Sequence, residues 1–153
     1  MGKIVAKFGG SSLSDAGQFV KVRQIIEMDT RRCYVVPSAP GRRFPEDEKI
    51  TDLLYQTYRA QRNGENIEPI FRRVRERYLS IAEELGLSFP IARELDEVER
   101  LIREGASEDF CASRGEYFSA RIMAALLNLP FLDPAQCIFF DEKGQFDGEA
   151  AQK

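Results

Sequence analysis

The run Lys3-Ile4-Val5-Ala6-Lys7-Phe8-Gly9-Gly10-Ser11-Ser12 constrains this chain more than any other stretch. Ile4, Val5 and Phe8 are strand formers with little polar interruption, so the run opens as a β-strand. Gly9-Gly10 then turns the chain, and Ser11, Ser12 and Ser14 offer hydroxyls to cap a following helix. A strand, a glycine turn and a helix N-terminus leave backbone N–H groups facing open space at the end of a sheet. Such a corner suits an anion, phosphate above all, and Lys7 adds a movable positive charge where the strand ends. The spacing is neither the P-loop GxxxxGK[ST], because the lysine precedes the glycines, nor GxGxxG. The same residues also suit a tight strand-to-helix corner carrying a surface lysine.

Beyond the turn, Phe19, Val22, Ile25 and Ile26 recur at helical spacing through about Met28. Cys33-Tyr34-Val35-Val36 reads as a second strand, ended by Pro37. Two strands joined by a helix predict a βαβ unit with parallel strands and a right-handed crossover. Ligands of such sheets lie at the carboxyl ends of the strands. Lys7 and the segment Pro37-Ser38-Ala39-Pro40-Gly41 are therefore expected to border one pocket. Residues 41–48 are charged and contain Pro45, which predicts a mobile loop.

The middle of the chain is helical by its spacing. Ile50, Leu53, Leu54 and Tyr58 share one face, and Asn63-Gly64 ends that helix. Ile67, Ile70, Phe71, Val74, Tyr78, Ile81 and Leu85 form the cleanest stripe of period 3.6. Gly86 and Pro90 punctuate it before Ile91, Leu95, Val98 and Leu101 continue. This pair is expected to be a lid-like insertion, with Arg72, Arg73, Arg75 and Arg77 on its solvated face. Ser113-Arg114-Gly115-Glu116 has capping-box spacing ahead of a helix that Pro130 stops. Phe131-Leu132 and Cys137-Ile138-Phe139-Phe140 read as short strands, Asp141 to Gly144 as a turn, and Phe146 as a hairpin return.

Composition removes several classes of function. The 153 residues include no histidine, so Ser/His and Cys/His nucleophiles are ruled out along with the commonest zinc ligand. Cys33, Cys111 and Cys137 form no CxxC pair, and they predict reduced, mostly buried thiols rather than a disulfide or zinc framework. A net charge of −3 argues against nucleic acid as the main partner. No apolar run approaches the ~18–20 residues of a membrane span, and no secretory segment follows Met1, so a cytoplasmic protein is expected.

Three motifs carry a family resemblance. KFGGSSL resembles the KFGGTS opening of the aspartokinases, within the amino-acid-kinase family, with Ser11 where Thr is usual. The resemblance implies that Lys7 contacts the transferring phosphoryl group and that Gly9, Gly10 and Ser11 embrace the ATP phosphates. VPSAPGRRF…KITDLL is similar to the aspartokinase VSAPGK…KVTDLL, with Pro37 in place of Val. It implies that Ser38 and Thr51 border the amino-acid substrate. Ser113 to Ser119 resembles S-x-GE-x-x-S, whose glutamate meets the substrate's amino group, which implies that role for Glu116. Arg114 fills the variable position and implies nothing.

The fold so implied is a three-layer αβα amino-acid-kinase-like fold in its N-terminal portion, with a mostly parallel sheet and a helical insertion. Residues 1–153 are expected to be the amino-acid-substrate portion of the catalytic domain, without the nucleotide-binding half and the regulatory ACT domains. The implied reaction transfers phosphoryl from ATP, accompanied by Mg²⁺, to the side-chain carboxylate of L-aspartate, in an enzyme that is a homo-oligomer (dimer) when complete. A carboxylate with pKa of about 4 is already ionised at neutral pH and needs no general base, which suits a chain without histidine. No carboxylate in the chain reads as an obvious Mg²⁺ ligand. A glutamate or acetylglutamate kinase, or a non-catalytic module that binds an amino acid or anion, is the alternative.

Overall fold

A computed structural model describes residues 2–88 and 90–152. Strand β1 (Ile4–Phe8) and strand β2 (Arg32–Pro37) pair in parallel, with Val5 opposite Tyr34, Ala6 opposite Val35 and Lys7 opposite Val36. Helix α1 (Ala16–Glu27) connects them, which makes the expected βαβ unit. Among the described residues four α-helices follow: α2 (Ile50–Arg62), α3 (Glu68–Glu84), α4 (Ile91–Arg103) and α5 (Glu108–Leu127).

Their ends obey local chemistry. Asn63 ends α2 and Gly64 follows at φ +72°, a left-handed conformation that costs glycine nothing. Asn128 closes α5 in the left-handed region, one of the few non-glycine residues at ease there. The helix after the glycine turn is not capped by a serine. Residues Gly10–Leu13 form a 3₁₀ turn, and Asp15 caps α1 by accepting from Gln18 N at 2.9 Å. Ser14 is buried and donates its hydroxyl to Asp15.

The helical insertion is not a lid. Phe71, Tyr78 and Ile81 of α3 and Leu95 and Ile102 of α4 are fully buried in one core with Leu13, Phe19, Leu54, Phe118 and Ile122. Each large apolar side chain so buried contributes about 1.5–3 kcal/mol, so α3 and α4 are part of what holds the domain together. Arg77, expected on a solvated face, is buried as well, only 6% exposed.

Two other expectations fail locally. Helix α5 starts at Glu108, capped by Ser107, whose hydroxyl accepts from Phe110 N at 3.1 Å. Ser113 therefore lies inside the helix, donating to Phe110 O at 2.8 Å, and Glu116 is no capping residue. Phe131-Leu132 and Cys137 to Phe140 are not sheet strands, and Pro134–Gln136 is a 3₁₀ turn. Among the described residues of this segment only Phe140 and Phe146 form an antiparallel bridge, around a turn in which Asp141 accepts from Lys143 N and Gln145 N, both at 2.8 Å. The three cysteines are free, with Cys111 buried, Cys137 half-buried and Cys33 exposed, so they are less buried than composition suggests. Burial pushes the Cys111 thiol up to about 11.

The two faces of the sheet differ sharply. Phe8 and Val35 pack against the helical core, whereas Val5, Tyr34 and Val36 on the other face are 65%, 52% and 45% exposed. Parallel strands are normally covered on both faces. In dilute buffer the chain is expected to sediment above its 17.5 kDa monomer mass through this face. Val5→Lys together with Val36→Lys is expected to restore the monomer with helical circular dichroism unchanged. A monodisperse monomer of the unsubstituted chain would show that water tolerates the strands as they are.

Candidate active site

The glycine turn and the segment after β2 meet backbone to backbone. Gly41 N donates to Gly10 O at 2.8 Å, and Ser38 N donates to Phe8 O at 3.0 Å. A Cβ at Gly10 would lie 2.8 Å from Ala39 O, and one at Gly41 would lie 2.8 Å from the Gly10 carbonyl carbon. Glycine is required at both positions by contact alone. Gly9 is different, since a Cβ there would meet nothing within 4 Å. The space beside Gly9 is open, and Gly10 and Ser11 N–H groups at the start of the 3₁₀ turn have no intrahelical acceptor. Lys7 is exposed on the open face of the sheet, and its side chain makes no ion pair or hydrogen bond with the described residues.

Helix α5 brings Glu116 to the same place. Glu116 Oε1 accepts from Ala39 N at 3.3 Å. This approach depends on Gly115, where a Cβ would sit 2.6 Å from the Ala39 Cβ and within 3.6 Å of Leu54 and Ile50 side chains. Tyr78 fixes the helix from behind, its hydroxyl donating to Gly115 O at 2.7 Å. Burial pushes the Tyr78 phenol far up from its ordinary value, so it stays a neutral donor. Thr51 lies half-buried in the first turn of α2, beside Ile50, whose N–H donates to Pro40 O at 3.2 Å.

The structure thus gathers Gly9, Gly10, Ser11, Ser38 and Glu116 around Ala39, with Thr51 at the edge of the group. Lys7 stands at the strand end opposite Val36. The segment 41–48, expected to be mobile, is tied down at Asp47, which accepts from Arg43 N at 3.0 Å, Arg43 Nε at 2.8 Å and Arg77 Nη2 at 2.6 Å. The Arg43 guanidinium, with Arg77 behind it, holds the Asp47 carboxyl well below the usual carboxylate range. Sequence reading missed Arg77. Its signal was available, because position 77 falls on the stripe of Ile70, Val74 and Ile81, and a charge on an apolar stripe points inward.

A profile described as the amino acid kinase family matches residues 2–152. The chain belongs to that family. Among its relatives is Aspartokinase 3 of Bacillus subtilis (strain 168), 36% identical over 127 residues, which are 79% of this chain and 28% of that protein. The crystal structure of Clostridium acetobutylicum aspartate kinase superposes with a TM-score of 0.95 at 46% identity, over 99% of this chain and 35% of the other. E. coli aspartokinase III in complex with aspartate and ADP shares the fold, with a TM-score of 0.76 at 22% identity, over 97% of this chain and 36% of the other. The chain spans about a third of the length of these amino acid kinases.

Gly115 gives a test in which two effects have opposite signs. Alanine is the better helix former by about 1 kcal/mol, but its methyl would overlap Ala39. Gly115→Ala is expected to destabilise the protein by about 1–3 kcal/mol in urea denaturation. A gain in stability would mean that α5 does not press on Ala39.

Proposed function

We propose that this chain is the amino-acid-binding, N-terminal portion of an aspartate kinase catalytic domain. The reaction transfers the γ-phosphoryl group of ATP to the side-chain carboxylate of L-aspartate, giving 4-phospho-L-aspartate and ADP. The observation that carries this reading is Glu116, a carboxylate seated on the Ala39 N–H beside the open glycine turn. One Glu116 oxygen takes that N–H, and the other is left for the ammonium of an amino acid, a charge-assisted pairing. Likeness to an aspartate kinase over nearly the whole chain, at 46% identity, points to aspartate among the amino acids.

Each residue then has a distinct task. Ser38 and Thr51 donate hydrogen bonds around the substrate. Gly9, Gly10 and Ser11 meet the phosphates with N–H groups, and the room beside Gly9 admits a close approach. Lys7 neutralises charge on the transferring group. In the transfer, the bond from phosphorus to the ADP oxygen breaks as one to the carboxylate oxygen forms. No proton has to move, so the lack of histidine costs nothing. What the protein must supply is alignment and charge compensation between two anions.

Mg²⁺ accompanies ATP in this proposal. Among the described residues no three Cys, Asp or Glu side chains converge to hold a metal, so these residues do not fit a protein-held ion and none of the steps above is assigned to one. Among them, too, no helix is long and apolar enough to cross a membrane; a cytoplasmic location is part of the proposal. The exposed strand face accords with a homo-oligomer.

Calorimetric titration with L-aspartate, L-glutamate and ATP in turn tests the reading. L-aspartate is expected to bind, and Glu116→Gln to weaken it about 10- to 150-fold, from a charge-assisted hydrogen bond of about 1.5–3 kcal/mol. An unchanged aspartate affinity in Glu116→Gln removes Glu116 from the site. Preference for L-glutamate moves the chain to another amino-acid kinase, and binding of ATP with no amino acid leaves an anion-binding module.

A further inference from the structure

None of the tasks above uses Arg77, yet it is the charged side chain most deeply placed behind the site. Its Nη1 donates to Ser14 O at 3.3 Å and to Gly41 O at 3.0 Å, and its Nη2 to Asp47 at 2.6 Å. The two carbonyls belong to different segments. Ser14 follows the 3₁₀ turn that begins at the glycines, and Gly41 lies in the loop after β2, where its own N–H holds Gly10 O. A single guanidinium on α3 therefore grips both loops from beneath, at points just past their site residues.

The chemistry of the grip is specific to arginine. A planar fork with five donors can satisfy two carbonyls and a carboxylate at fixed angles, whereas an ammonium on a flexible stem cannot. Burial pushes the Arg77 guanidinium down from its ordinary value and Arg43 repels it, while Asp47 opposes both. Burying such a group is costly unless every partner is in place. An apolar residue would fill the same space on the stripe without that cost, so the charge has a purpose other than packing.

We propose that Arg77 is a positioning residue, which sets the spacing between the phosphate-facing turn and the amino-acid-facing loop. The proposal builds on the functional reading given above. Asp47 is the anchor of the arrangement: it holds Arg77 and Arg43 together, and so keeps residues 41–47 against α3. Loss of the fork leaves both loops in place but lets them shift relative to each other, and an error near 1 Å between donor and acceptor costs about 100-fold in transfer.

Amide hydrogen exchange on the ¹⁵N-labelled chain tests this without ligand. In Arg77→Lys, exchange at Gly41 and Ala39 is expected to speed up at least ~10-fold relative to core amides such as Ile122. Asp47→Asn keeps the donor on both carbonyls and is expected to loosen the same amides less. Unchanged Gly41 and Ala39 in Arg77→Lys overturns the proposal. So does acceleration of core and loop amides by one common factor, which would make Arg77 a matter of global stability only. The unsubstituted protein supplies a reading that needs no variant: the Arg77 Nη resonances are expected to be resolved and slow in rotation, and a single averaged signal overturns the proposal whether or not the variants fold. L-aspartate is then added. Arg77→Lys is expected to weaken its binding about 10-fold. If the unsubstituted chain and Glu116→Gln respond to L-aspartate alike, the amino-acid reading fails, while the ligand-free exchange still decides the role of Arg77.

Discussion

Two loops meet backbone to backbone beside Ala39, and a helix packs directly on its methyl, at distances that leave no room for a side chain on Gly10, Gly41 or Gly115. The turn at Gly10 lies against its carbonyl, and α5 presses on its methyl at Gly115, while Gly41 bonds back to Gly10. Close backbone approach of this kind fixes loops more firmly than side-chain contacts do, because backbone atoms have no rotamers to relax into. The position of Glu116 follows directly, since its helix can come no closer and turn no further. The geometry of the candidate site is thus set by what is missing from three residues.

The second constraint is electrostatic. Both reactants of the proposed transfer are anions, and in that proposal they are met by Lys7, whose side chain is unpaired among the described residues, and by N–H dipoles. The fixed cations nearby, Arg43 and Arg77, are already committed to Asp47 and to backbone carbonyls. A structural charge that is fully paired does not compete for the phosphates, and a catalytic charge left unpaired remains available to them. Separation of the two duties allows loops rich in arginine to border a site without trapping its substrate.

The two faces of the sheet have different surroundings. One face carries Phe8 and Val35 into a well-packed core, while Val5, Tyr34 and Val36 face water beside Lys7. The helices α1 to α5 share one extensive core, which lets the loops keep their geometry even though the strands are covered on one side only. Apolar burial is therefore concentrated on the helical side, and the other strand face stays open.

The order of elements was legible from local pattern. Strand, glycine turn, helix and strand follow from period and turn chemistry over a few residues each, and the stripes of α2 to α4 follow from the spacing of Leu, Ile and Phe. The resemblance of three short motifs named Lys7, Gly9, Gly10, Ser11, Ser38, Thr51 and Glu116 as a set. Tertiary structure decided the rest. Ser113-x-x-Glu116 fits a capping box by spacing, but the helix begins at Glu108 under the Ser107 cap, and Gly115 lies mid-helix where the Ala39, Leu54 and Ile50 side chains fill the space a Cβ would need. Asp15, not a serine, caps α1 because Gly10–Leu13 are taken up in a 3₁₀ turn, which places Asp15 at the helix start. Arg77 looks solvated beside Arg72, Arg73 and Arg75, and only the two carbonyls and the carboxylate brought from distant segments explain its burial. Local sequence fixes which residues can turn, cap or alternate. Which polar groups find partners across 30 or 60 residues is settled only when those segments pack, since a buried charge is tolerated only where its partners arrive together.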